Sequence, residues 1–150
     1  MEEASDLYSR DTKSKSRRRV FSLEQANKTL PLVSQIVRDA AGLYREMAQL
    51  QLRLDGGKFA PHEKENIESQ IERQEHRLEG YCVELAEVGC ELKDPIQGLV
   101  DFVGQHEGHD VFLCWKLGED RIEYWHDLHS GFAGRRPVSQ IHEAPSQTVP

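Results

Sequence analysis

Residues 98–137 read GLVDFVGQHEGHDVFLCWKLGEDRIEYWHDLHSGFAGRRP, and their reading decides the fold. Three apolar runs, 98–103, 110–117 and 121–126, are separated by Gly104, Gly108 and the turn Gly118-Glu119-Asp120. Glycine-bearing turns between such runs predict a three-stranded antiparallel meander. In the second run Val111, Leu113, Trp115 and Leu117 alternate with Phe112 and Cys114, so both sides are apolar and this strand belongs in the centre. The third run sets Ile122, Tyr124 and His126 against Arg121, Glu123 and Trp125. Beyond it, Asp127 to Pro137 reads as a loop with paired arginines after a glycine.

Upstream of this block the period changes from two to about 3.6. Ser22 can cap a helix, Gln25 can reach back to complete a capping box, and Phe21 can staple onto Ala26. Pro31 removes a backbone donor, which predicts either a kink there or a second helix that begins with Pro31. Val33, Ile36, Val37, Ala40, Leu43, Tyr44, Met47, Leu50 and Leu54 then line one helical face up to Asp55-Gly56-Gly57. A second helix opens at Pro61 and carries Ile67, Ile71, Gln74, Leu78, Tyr81, Leu85 and Val88, alternately four and three apart, the heptad period of a coiled coil. Helices over 22–55 and 61–89 with a glycine turn between them predict a long antiparallel hairpin. The fold class is therefore α+β, a coiled-coil-like hairpin packed with a small meander. The helical faces are wider than a two-helix seam consumes, so the sheet or a second copy of the chain must cover the surplus.

At 150 residues the chain is sized for one domain, placed at 20–139. Residues 1–19 hold six basic and four acidic groups and few large apolar ones, which predicts a disordered basic tail; 140–150 is polar and reads as a second tail. Net charge is -7, and with +2 in the first tail and -1 in the last, the body carries -8. Such a body repels phosphate backbones, leaving the basic tail as the place for any nucleic-acid contact. Cys82, Cys90 and Cys114 are odd in number and form no Cys-x-x-Cys pair, which predicts reduced thiols and argues against a thiolate zinc site. No apolar leader and no long apolar run is present, so a cytoplasmic protein without membrane attachment is expected.

Several of these pieces occur together elsewhere. Val20-Phe-Ser-Leu-Glu-Gln-Ala-Asn27 with Leu30-Pro31, Lys93-Asp94 with Gly98-Leu-Val-Asp-Phe102, Leu113-Cys-Trp-Lys-Leu-Gly118, Tyr124-Trp-His126 and Gly131-Phe-Ala-Gly-Arg-Arg-Pro137 resemble the prokaryotic family termed domain of unknown function 2203. The resemblance spans about residues 20–138. It implies no activity and brings no catalytic residue with it.

Candidate chemistry lies in the C-terminal block. His106, His109, His126, Asp127 and His129 are candidate metal ligands, because imidazole and carboxylate together suit zinc, iron or manganese. In a meander the first turn and the end of the third strand fall at one end of the sheet, which makes their approach topologically reasonable. Asp101, His126, Arg135 and Arg136 are candidate ligand-binding residues, the arginine forks suiting phosphate or carboxylate. The competing expectation is that one arginine pairs with acidic residues of the helices while the glycines let the chain fold around Phe132. Cys114, mid-strand, reads as a packing residue and not a nucleophile. Phe112, Tyr124 and Trp125 on an exposed face would suit base stacking, but the acidic residues around them oppose it. The leading functional expectation is a non-enzymatic module that associates with itself or a partner protein through its helices. The alternative is a small metal-dependent or anion-binding enzyme with its site at the end of the third strand and the Gly-Arg loop, its cofactor unspecified.

Overall fold

The computed structural model describes residues 19–144. The basic tail up to residue 18 and the polar end 145–150 lie outside the described residues. Helix α1 spans Leu23–Gly56 and α2 spans Pro61–Val88; the two pack against each other. At 1.5 Å per residue they are about 50 and about 40 Å long.

Local chemistry places their ends. The Ser22 hydroxyl accepts from the Gln25 amide at 3.1 Å, and the Gln25 side chain accepts from the Ser22 amide at 3.0 Å, the reciprocal box the sequence predicts. Phe21 is buried and meets Phe102 edge-on, with ring centroids 5.2 Å apart. Pro31 neither breaks α1 nor starts a new helix: α1 is continuous through it, with the proline on the solvent side. One turn earlier, the side chain of Asn27 accepts from the Ile122 amide at 2.7 Å and anchors α1 to the sheet. α2 ends at Gly89, whose φ of 113° lets its amide return to the Leu85 carbonyl.

Among the described residues the sheet has five antiparallel strands in sequential order, where three were expected. They are β1 (Cys90–Asp94), β2 (Leu99–His106), β3 (His109–Lys116), β4 (Tyr124–His126) and β5 (Arg136–Pro137). β1 follows α2 directly across Gly89, and its short Cys90-Glu-Leu-Lys-Asp94 run has too few apolar residues to stand out. β5 comes from the predicted Gly-Arg loop. β4 begins at Tyr124 instead of Arg121; Ile122 is buried in the helix-side core, although simple alternation puts it with Tyr124 and His126.

β2 and β3 are joined by Glu107 and Gly108, at φ 51° and 80°, a turn with both central residues left-handed. That turn pairs His106 with His109 and so fixes every later pair, including Phe102 with Leu113 and Asp101 with Cys114. Alternation then divides the sheet. Cys90, Leu92, Val100, Phe102, Val111, Leu113, Trp115 and Trp125 face α1 and form one core with Ala26, Leu30, Val33, Ile36, Val37, Ala40 and Leu85. From α1, nothing beyond Leu43 is buried.

The segment after β5 is docked as far as it is described, contrary to the expectation of a free end from residue 140. Ile141 packs on the core, the His142 carbonyl accepts from Glu107, and a Glu143 carboxylate oxygen accepts from the Leu23 amide at 2.7 Å. A carboxylate at that position also suits the helix dipole. Among the described residues no helix is long and apolar enough to cross a membrane.

Candidate functional site

The face of the sheet turned away from α1 is made by the alternate residues of the same strands. Asp101 on β2, Cys114 on β3 and Tyr124 on β4 stand in one cross-strand row, and His126 is diagonal to Cys114 because it pairs with Phe112. Three of these are almost wholly buried: Asp101 at 6%, Cys114 at 1% and His126 at 3% exposure. Buried ionisable groups are costly unless paired, so their partners define the site.

His126 Nε2 lies 3.3 Å from Asp101 Oδ1, and His126 Nδ1 donates to the Asp127 carbonyl at 2.8 Å. The Asp101 contact raises the His126 pKa; burial opposes this, the Asp127 carbonyl adds to it and Lys93 works against it. Asp101, Cys114 and His126 each offer one ligand atom, and these atoms all lie within 4.8 Å of one another. Burial pushes the Cys114 thiol up to about 12, helped by the charge of Asp101 and opposed by Arg135. Cys90, on the core face, is pushed to about 12 by burial as well. Burial thus favours the thiol form of Cys114 over the thiolate.

A frame of charged side chains surrounds this row. Arg135 holds both carboxylate oxygens of Glu119, at 3.0 and 2.9 Å, and its guanidinium lies 4.0 Å over the Tyr124 ring and 4.7 Å over Phe132. Glu119 also accepts from the Lys116 amide at 2.7 Å, so the β3–β4 loop is locked while it holds the arginine. Arg135 Nε is buried and has no acceptor among the described residues. At the other edge Lys93 reaches Glu91 at 3.2 Å and stands 5.3 Å over Phe112, which in turn lies 5.4 Å from the His126 ring.

Sequence-predicted residues divide between the two faces. Asp101 and His126 come together, and Arg135 joins their side of the sheet. Arg136 goes to the other side, 5.2 Å over Trp125, and reaches Asp127 at 3.6 Å where both are exposed. His106 is at the same end of the sheet as His126, as the topology predicts, but on the opposite face, where it stacks on Trp125 at 4.5 Å and accepts from the His142 amide. His109 and His129 are exposed, and the Asp127 side chain points to Arg136 and not to His126. The set His106, His109, His126, Asp127 and His129 therefore does not converge. Arg135 pairs with the β3–β4 loop and not with helical carboxylates, and Trp125 is core, unavailable for base stacking.

Glu119 is absent from the candidates the sequence offers, and Cys114 enters there only as a nucleophile that is set aside. Their signal was present in the Glu107-Gly108 pair: a two-residue turn there sets the register that puts Cys114 opposite Asp101. No curated protein and no solved structure matches the chain. The profile of an uncharacterized conserved protein family, DUF2203, matches residues 19–138, which takes in both helices, all five strands and every residue of this site, and the chain belongs to that family.

Proposed function

We propose that the protein is a non-enzymatic cytoplasmic association module, which pairs with a second copy of itself through the outer halves of α1 and α2 in coiled-coil fashion. The carrying observation is the half-covered seam around Gln74. Met47, Leu50 and Leu54 of α1 and Ile71 and Leu78 of α2 are only half-buried, and Leu52 is exposed, although all lie on helices packed together. Gln74 sits among them at 8% exposure, with its amide nitrogen 3.4 Å from Glu46 and its oxygen buried without a partner among the described residues. A polar residue at a seam position commonly fixes register between paired helices, and a second chain would supply the missing donor. Two helices alone have no third surface to close their apolar faces; a second copy supplies one. A cytoplasmic setting fits the reduced Cys90 and Cys114 thiols.

Light scattering during size-exclusion chromatography tests this. A dimer mass is expected at micromolar concentration. Leu50→Glu with Ile71→Glu should give a monomer with unchanged far-UV circular dichroism; a monomeric parent at high micromolar concentration contradicts the proposal.

A second reading is favoured by the Asp101–His126 pair and the nearby Arg135: a metal-dependent or anion-binding site on the outer face of the sheet. A hydrolytic reaction would use a polarised water and a guanidinium to hold an anionic group.

A further inference from the structure

The contacts of His126 pose a bonding problem. A carbonyl oxygen only accepts, so the bond to Asp127 makes Nδ1 the protonated nitrogen. In neutral imidazole, Nε2 then presents a lone pair, and it faces a carboxylate oxygen, also a lone-pair donor, at 3.3 Å inside the protein. Two such atoms repel unless something positive lies between them. A second imidazole proton is one solution, a metal ion the other. The third group points to the ion: the Cys114 thiol can hydrogen-bond Asp101 beside a shared proton, but one ligand atom each from Asp101, Cys114 and His126, all within 4.8 Å of one another and buried, is the arrangement a metal ion uses.

We propose that Asp101 Oδ1, Cys114 Sγ and His126 Nε2 form a three-ligand site for zinc(II), with a water in the fourth position. A tetrahedral zinc with bonds of about 2.0 Å to nitrogen and oxygen and about 2.3 Å to sulfur sets its ligands about 3.3 to 3.6 Å apart. The nitrogen–oxygen separation already has that value, and the sulfur lies within 4.8 Å of both, inside the reach of a χ1 adjustment. One soft thiolate with imidazole and carboxylate selects zinc over magnesium or calcium. The Asp127 carbonyl holds the imidazole by its other nitrogen, the usual outer contact of a metal-bound histidine. On binding, the Cys114 S–H bond breaks, sulfur donates its electron pair to zinc, and the proton leaves to solvent. A lone thiolate from a strand escapes the Cys-x-x-Cys pattern, which is why cysteine spacing argues against zinc here. The three ligands come from three neighbouring strands, so the ion staples β2, β3 and β4.

This inference deepens the second reading above and is independent of helical association. Its probes are zinc(II) and cobalt(II) alone, added to chelator-treated full-length protein. One cobalt per chain is expected, with the intense visible bands of tetrahedral cobalt and a near-ultraviolet thiolate-to-cobalt charge-transfer band that zinc abolishes. Cys114→Ser should remove the charge-transfer band and weaken binding by more than the roughly 10- to 100-fold that losing an outer-shell partner costs. Cys82→Ser and Cys90→Ala should keep the band, and circular dichroism of each variant confirms folding. No stoichiometric cobalt in the parent, or a charge-transfer band that survives Cys114→Ser, overturns the site. A site that binds zinc without any hydrolytic activity keeps this proposal and discards the enzymatic reading, while light scattering tests association separately.

Discussion

The two faces of the sheet come from alternate residues of the same strands, and both are largely dry, yet they are chemically opposite. Toward α1 stand Phe102, Leu113, Trp115 and Trp125; away from it stand Asp101, Cys114, Tyr124 and His126. An antiparallel sheet ordinarily leaves its second face wet, where polar residues cost nothing. Here that face is framed by the charged Arg135, Glu119 and Lys93 and by the Phe112 ring, while Asp101, Cys114 and His126 stay buried. Stability alone gives no reason for that, since well-packed apolar residues in place of a buried ion pair are often as stable or more so. The helix-side face explains the fold, and the other face is where selection for function has to be sought.

Substitutions on each face can break or sharpen this contrast. Trp115→Ala removes a side chain that is 1% exposed at the centre of the core and should cost about 4 kcal/mol, read by urea denaturation. Asp101→Ala strands His126 and should cost about 3 kcal/mol in chelator-treated protein. The double variant Asp101→Leu with His126→Phe should recover most of that loss, because no buried charge is left unpaired; a double variant as unstable as the single would mean that the polar row holds the fold together after all. Glu119→Gln weakens the two-oxygen hold on Arg135 and keeps the Lys116 bond, so about 1 kcal/mol is expected, with the circular dichroism spectrum unchanged.

Much of the fold was legible because its signals are local. The Ser22–Gln25 box, the Pro61 start and the alternation through Val111 to Leu117 each act within a few residues. β1 and β5 were not legible: Cys90–Asp94 has two inward positions and Arg136–Pro137 has two residues in all, so each is a strand only because a neighbour is there to pair with. Of the two outcomes Pro31 allowed, a second helix starting there is ruled out, because packing of Leu30 and Val33 keeps α1 continuous at a position where propensity alone favours a break. At the site, Asp101 and His126 could be suspected by residue type. Cys114 could be suspected only as a nucleophile, because its place opposite Asp101 depends on register, and the histidines of the first turn were misleading since sequence gives the end of a sheet more readily than its face.

The bond between Glu143 and the Leu23 amide joins positions 120 apart in the chain. During synthesis each strand of the sheet can pair with the one just made, a zipper of short-range steps that needs no later residue. The start of α1 is different: its amide acceptor, and the Ile141 contact beside it, emerge from the ribosome only after nearly the whole body has been translated. Folding of this protein is thereby given a late step, a clasp that shuts only after residue 143 has been made, and a chain truncated before residue 140 should hold its sheet while the first turn of its leading helix frays.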